Sequence, residues 1–144
     1  MLYLKLGKVE DAESVVALSR DLFEASIYST VSLFDPEKVK ENYLLSLDKP
    51  DTEHCTILLC EDKRTIGFLS CASTSMLYSS DLMALEVGMW VGPVEFKKPG
   101  YRKLLEGYYY WAKKIGCKAA LVGKLVKDKH SVEVYRMKNL WPQG

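Results

Sequence analysis

The sequence lacks the features that would place it in several special classes. No apolar run approaches the ~18–20 residues of a membrane span. The 20 basic and 19 acidic residues leave a net charge of +1, so no overall attraction to nucleic acid or to a membrane surface is expected. Only two histidines and four cysteines are present, and the cysteines form no CxxC pair. A zinc site, a disulfide framework and a membrane or nucleic-acid-binding protein are therefore disfavoured.

What is present is typical of one globular domain. The chain has 144 residues, of which 48% are hydrophobic and 27% charged, and one domain usually takes about 100–200 residues. No repeat or linker divides it, so we predict a single domain over residues 1–144. Residues 1–8 have the alternating pattern of a short strand, so we expect no signal peptide there, and the cysteines lie in apolar surroundings. We therefore expect buried thiols and a cytoplasmic location, while a Ser-His-Asp or Cys-His site stays open.

Hydrophobic periodicity predicts the element order β-α-α-β-β-β-α-β-α. Strands are expected over 2–6, 55–61, 65–72, 85–91 and 119–122. Helices are expected from about Asp11, from Pro36 after an Asp35 cap, over 101–115 before Gly116, and over 131–138. This order predicts an α/β (α+β) fold, in which a mixed, twisted sheet carries helices on both faces.

The segment 92–100, between a strand and the third helix, is the best candidate for a ligand site. Helix N-termini present unpaired N–H groups and a partial positive charge, which suit phosphates. Lys97, Lys98, Arg102 and Lys103 lie at the same place. We interpret this concentration of charge as an anion site, for a group such as a cofactor pyrophosphate. A solvated basic loop is the alternative.

Three stretches resemble the GNAT N-acetyltransferases in order and spacing. The run 91–105, which opens with Val91-Gly92-Pro93 and closes with Leu104-Leu105, resembles the family's V-x-P-x-x-R-G-x-G-x-G/A-x-x-L-L segment. The stretch 110–118 resembles the helix end that follows it. Six residues fall on the family's C-terminal pattern: Asp128, Ser131, Val134, Tyr135, Asn139 and Leu140. The resemblance implies a single GNAT-like domain that uses acetyl-CoA.

The aromatic-rich third helix also resembles small GNAT-like proteins of tailed bacteriophages. That resemblance implies a protein of the host cytoplasm or of the virion.

The family resemblance implies roles for individual residues. Glu86, the only carboxylate on its strand, corresponds to the base that deprotonates the amine, and Tyr135 to the acid that protonates the leaving thiolate. The acetyl-CoA-binding segment corresponds to Val91, Lys97, Lys98, Gly100, Tyr101, Arg102 and Lys103. From the residues alone, an outward-facing polar Glu86 and a packing role for Tyr135 stay open.

The same segment departs from the family pattern at its glycines. Phe96 stands at the family's Arg/Gln position and Lys97 at its first glycine, while Pro99 and Tyr101 stand where glycines let the backbone approach the pyrophosphate. Proline has no N–H to donate, and a tyrosine side chain fills the space that a glycine leaves open.

Two hypotheses follow. The protein is an acetyl-CoA-dependent N-acetyltransferase acting on a small amine or a protein amine. Alternatively, it is a catalytically degenerate GNAT-fold protein that acts as a binding or structural component, of a phage particle or against a host protein.

Tyr109, Tyr110 and Trp111 spread aromatic rings around the third helix, with Tyr110 about opposite its apolar face. We interpret them as a surface for a homo-oligomer or a protein partner, because aromatic residues are enriched at interfaces. Scattered surface aromatics are the alternative.

The resemblance implies one more strand after the last helix. Only Trp141-Pro142-Gln143-Gly144 follow Leu140, and Pro142 is a poor start for a central strand. We therefore expect either that the final strand is missing, which leaves a sheet edge open, or that a second chain covers this edge.

Overall fold

A computed structural model describes residues 1–124 and 134–139, with side chains described as far as residue 123. Within these residues, six strands form one sheet in chain order: β1 (Leu2–Leu6), β2 (His54–Glu61), β3 (Arg64–Ser75), β4 (Leu82–Val91), β5 (Ala119–Lys124) and β6 (Val134–Asn139). Neighbouring strands are antiparallel except β4 and β5, which are parallel. The helices are α1 (Ala12–Ala25), α2 (Pro36–Ser46) and α3 (Lys97–Lys114).

The helices cover both faces of the sheet, which confirms the predicted α/β architecture. Leu18 of α1 and Tyr43 of α2 pack with Leu58 on one face. Leu104 of α3 packs with Leu59 on the other. Because successive side chains of a strand point to opposite faces, a strand covered on both sides is apolar throughout, and residues 55–60 of β2 are all buried.

Two predicted helix ends are confirmed by their local geometry. The Asp35 carboxylate accepts a hydrogen bond from the Lys38 backbone N at 3.1 Å, and Pro36 takes the first position of α2. Gly116, with φ of 92°, lies just beyond α3 in a conformation that favours glycine. These residues fix where the chain enters α2 and leaves α3.

The start of α3 lies earlier than predicted. The helix begins at Lys97, so Pro99 and Gly100 belong to its first turn rather than to a loop. A proline is tolerated there because the first N–H groups of a helix have no partner within it. Gly100 is buried, and a Cβ at this position would lie 2.7 Å from Leu59 Cδ2 and 3.1 Å from the Val91 methyl groups. This glycine therefore lets α3 approach the sheet closely.

The predicted helix over 131–138 is wrong from residue 134 onwards, where the chain forms β6. Tyr135 and Met137 alternate with Arg136 and Lys138, which is the period of a strand. Antiparallel pairing with β5 satisfies backbone groups that a short helix would leave open at its ends. The chain itself thus covers the edge of β5 that we expected to be open or covered by a second chain. Residues 131–133 and 140–144 lie outside the described residues.

The four cysteines are free and buried, as predicted. Within the described residues, no helix is long and apolar enough to cross a membrane. In the same part of the chain, no group of His, Cys, Asp and Glu side chains is arranged to hold a metal ion.

Candidate functional site

The strands β4 and β5 are paired only near their beginnings. Within the described part of the chain, residues 83–85 pair with residues 119–121, and β4 continues to Val91 without further pairing to β5. The pairing of β4 with β3 shifts by one residue at Val87, and such a bulge bends a strand and increases its twist. The two parallel strands therefore diverge from about Glu86, and the sheet opens between them.

A cavity of about 1040 Å³ lies at this opening and has walls from both faces of the sheet. On the α3 side the wall includes Tyr101 and Leu105, with Val122 and Gly123 of β5. On the α1 and α2 side it includes Leu22, Phe23, Phe34 and Val39. A mostly apolar wall with a few polar groups is typical of a small-molecule site.

Glu86 lines the cavity at the point where the strands diverge. Its Oε1 accepts a hydrogen bond from the Gly123 backbone N at 3.3 Å. The half-buried carboxylate therefore bridges β4 and β5 instead of projecting into bulk solvent. Its role as a base stays a prediction.

The backbone of Val91 faces the opening at the far end of β4. The next residue, Gly92, donates its N–H to the Ile66 carbonyl on β3 at 2.8 Å, and successive residues of a strand direct these groups to opposite sides. The Val91 N–H donates to Tyr101 Oη at 3.3 Å, and its carbonyl accepts from Lys97 Nζ at 2.5 Å. The first turns of α3 therefore supply the hydrogen bonds of this part of β4.

Lys97 is held against β4 by a second contact. Its Nζ lies 3.7 Å from the centroid of the Trp90 ring, within the range of a cation–π interaction. Burial lowers the pKa of Lys97, while the charge of Asp21 partly raises it. Burial raises the pKa of Tyr101, although its hydrogen bond from Val91 lowers it in part. Both side chains therefore belong to the packed junction of β4 and α3.

The four predicted anion-binding cations are not equivalent. Lys97 is directed to β4, whereas Lys98 and Arg102 are exposed and Lys103 is partly exposed. Gly100 makes core contacts, so its position does not leave room beside the backbone for a phosphate. Acetyl-CoA binding by these residues stays a prediction, with Lys98, Arg102 and Lys103 at the solvent-facing positions.

Tyr135 lies on β6 opposite Gly123, not on a helix. Its side chain is outside the part of the chain whose side chains are described. Its role in protonating a thiolate therefore stays a prediction.

Several residues on the α1 and α2 face were not predicted from the sequence. His54 Nε2 lies 3.1 Å from Ser70 Oγ. The Trp90 Nε1 atom is buried without a hydrogen-bond partner among the described residues. The sequence feature that could have indicated a polar site here is Ser70, a polar residue in the middle of an otherwise apolar run.

Only one of the three helix aromatics is strongly exposed. Tyr110 is 70% exposed, as predicted from its place opposite the apolar face. Trp111 is buried and its Nε1 donates to the Asp51 carbonyl at 2.8 Å, while Tyr109 is half-buried with its ring centroid 5.5 Å from that of Tyr108. The prediction that all three rings form one surface is wrong for Trp111, and a partner at Tyr110 stays a prediction.

Several solved structures share this architecture at low sequence identity. A GNAT family acetyltransferase of Staphylococcus aureus is 17% identical, with a TM-score of 0.60 over 83% of this chain and 82% of that one. An acetyltransferase of GNAT family from Streptococcus pneumoniae is 16% identical, with a TM-score of 0.63 over 85% and 74%. The chain has the GNAT fold.

An aminoglycoside 6'-N-acetyltransferase from Acinetobacter haemolyticus shares this GNAT fold at 14% identity, with a TM-score of 0.65 over 80% of this chain and 74% of that one. No protein-family model and no curated protein sequence matches the chain. The predicted GNAT-like fold is thus confirmed, and the similarity to bacteriophage proteins stays a prediction.

Proposed function

We propose that the protein is an acetyl-CoA-dependent N-acyltransferase that acts on an amine. The observation that carries this proposal is the cavity at the divergence of β4 and β5, beside the Glu86 carboxylate. Its walls belong to both faces of the sheet, so a thioester on the α3 side and an amine on the α1 and α2 side can meet at Glu86. Holding two reactants in contact lowers the entropic part of the barrier.

The reaction requires a neutral amine nitrogen. In the proposed mechanism, Glu86 takes a proton from the acceptor, and the nitrogen attacks the thioester carbonyl carbon. A C–N bond forms and the C–S bond breaks. The coenzyme A thiolate then takes a proton, and the family resemblance assigns this proton to Tyr135. The second proton, which the nitrogen loses as the amide forms, replaces the one that Tyr135 gave up, so the protons balance.

The anionic end of the donor is proposed to lie at the start of α3. Pro99 lacks an N–H, and the space beside Gly100 is occupied by Leu59 and Val91. A phosphate site built from glycine-rich backbone therefore does not fit here. In this proposal the exposed Lys98 and Arg102 and the partly exposed Lys103 bind the phosphates through their side chains instead. This arrangement favours weaker, salt-sensitive donor binding, because exposed charges are screened.

A second candidate is a non-catalytic GNAT-fold binding protein. It is favoured by Val91, whose N–H and carbonyl are already bonded to Tyr101 and Lys97. A donor that pairs with this edge of β4 has to displace them. The two candidates therefore differ in one measurable property, the binding of acetyl-CoA.

Replacement of Glu86 tests the proposed base. Glu86→Gln keeps an oxygen that can accept the hydrogen bond from Gly123 but cannot take a proton. We expect turnover to fall by roughly 10²–10⁴-fold, measured as thiol release from acetyl-CoA with a panel of primary amines. Glu95→Gln, at an exposed position before α3, is the control and should retain activity. Unchanged turnover in Glu86→Gln would remove Glu86 from this role.

A further inference from the structure

A second cavity adjoins the first on the α1 and α2 face of the sheet. It has a volume of about 510 Å³. Five residues line both cavities, so the two meet along a shared wall: Ser19, Leu22, Val39, Val87 and Gly88. A ligand in the first cavity can therefore extend into the second.

The floor of the second cavity is polar, although it lies on a strongly apolar sheet. His54 of β2 and Ser70 of β3 are joined by a contact of 3.1 Å, and both line the cavity. Burial of His54, together with the charge of Lys49, lowers the pKa of the imidazole, so the ring is neutral at pH 7. The contact between His54 and Ser70 uses one of the two hydrogens of this pair. One hydrogen therefore remains for a ligand oxygen, on Ser70 Oγ if His54 Nε2 carries the ring proton and on His54 Nδ1 if it does not.

The two cavities differ in the charge of their walls. Among the described residues, the second cavity is lined by Lys49 and by no carboxylate. The first is lined by two carboxylates, Asp35 and Glu86, and by Lys38. A ligand with a positive end beside Glu86 and a negative end beside Lys49 would match this distribution.

We propose that the second cavity is the distal part of the acceptor site and binds a carboxylate carried by the amine acceptor. This inference rests on the proposed acyltransferase function. The strands β2 and β4 are two strand spacings apart, roughly 10 Å. Glu86 is in register with Cys71 and Cys55 of the α3 face, whereas His54 lies on the opposite face, so this spacing is a lower bound. The acceptor class is therefore an amine with a distal carboxylate at least about that far away, as in an ω-amino acid or a peptide of about three residues.

A matched pair of ligands tests the carboxylate directly. The chain has two histidines, so the ring signals of His54 can be assigned in an NMR spectrum by their loss in His54→Phe. We expect 6-aminohexanoate to shift these signals saturably, and hexylamine to bind about tenfold more weakly, the usual effect of one hydrogen bond to a charged group. Trialanine and its C-terminal amide make the same comparison for a peptide.

Variants of the wall residues locate the effect. Lys49→Met and Ser70→Ala should each remove most of the difference between 6-aminohexanoate and hexylamine. Lys63→Met, in the exposed turn between β2 and β3, is the matched control and should keep the difference. The comparison within the wild-type protein remains decisive if a variant fails to fold.

The outcomes separate this inference from the proposed function, because the NMR titration requires no turnover. Equal affinity for the two members of both pairs, or no shift of the His54 signals up to the solubility limit, would overturn the carboxylate site. Carboxylate binding without any acyl transfer would support the site and reject the acyltransferase. Acyl transfer without carboxylate preference would reject the site alone.

Discussion

At the scale of single residues, the junction of β4 and α3 is held together by hydrogen bonds that join Tyr101 and Lys97 to the Val91 backbone. The sequence concentrates cations there, and the prediction of an anion site follows from composition and spacing. Composition and spacing do not reveal that Lys97 donates a hydrogen bond to the Val91 carbonyl and lies over the Trp90 ring. Such contacts depend on the path of α3, which begins four residues before the predicted start at Tyr101. Spacing along the chain therefore predicted a cluster of cations at the start of α3 but not the direction of each side chain.

Replacement of Lys97 tests whether this residue competes with the donor. Lys97→Met keeps the aliphatic stem but removes the hydrogen bond to Val91. We expect acetyl-CoA to bind about three- to tenfold more tightly, since one net hydrogen bond no longer has to be displaced. Calorimetric titration measures the change, and Lys98→Met, which removes only an exposed charge, should weaken binding. Weaker binding by Lys97→Met would show that Lys97 instead contacts the anionic donor.

Replacement of Gly100 tests whether α3 needs a glycine to approach the sheet closely. The added methyl of Gly100→Ala would lie 2.7 Å from Leu59 Cδ2. We expect a loss of about 1–3 kcal/mol in the free energy of unfolding, because overpacking exceeds the helix preference of alanine at this position. Urea unfolding provides the measurement, and Lys98→Ala at an exposed neighbouring position should change it little. A gain in stability would contradict the packing described for Gly100.

Whole elements were predictable where pattern and capping agree. The cap at Asp35 and the glycine after α3 fixed two helix ends because both signals act over a few residues. The segment 134–139 was wrongly predicted as a helix because its few apolar residues are compatible with either a helix or a strand. The segment forms a strand because it pairs with the edge of β5, and the sequence of the segment alone does not show this pairing.

The packing of α2 carries a prediction about pH. Tyr43 Oη donates to the Lys8 carbonyl at 2.7 Å, and burial raises the pKa of Tyr43 to about 12. An unfolded tyrosine has a pKa of about 10. Between these values the unfolded chain loses the proton while the folded chain keeps it, so ionisation favours unfolding. The stability that Tyr43 contributes is therefore complete below about pH 10 and is lost as the pH rises towards 12.

The matched variant Tyr43→Phe isolates this effect. The wild type should be the more stable protein at about pH 9, and its advantage should shrink by about pH 11 as Tyr43 titrates in the unfolded chain. Urea unfolding of both proteins at each pH gives the difference, in which other titrating groups largely cancel. A difference that does not change with pH would contradict the account of Tyr43.

At the scale of the whole molecule, the order of strands and helices as far as β5 was available from the sequence, but β6 and the opening in the sheet were not. Each element is a local pattern, whereas the opening depends on where the pairing of β4 and β5 stops. That point is set by the bulge at Val87 and by the packing of α3, which join distant parts of the chain. The cavity and its Glu86 wall therefore emerge only from the assembled sheet.

The proposed acyltransferase function requires this opening to bind acetyl-CoA. Calorimetric titration of the wild-type protein with acetyl-CoA at low salt tests it most directly. We expect saturable binding with one site per chain that weakens as salt is raised, because exposed cations at the start of α3 hold the phosphates. Absence of binding at millimolar acetyl-CoA would contradict the acyltransferase proposal and favour the non-catalytic GNAT-fold protein.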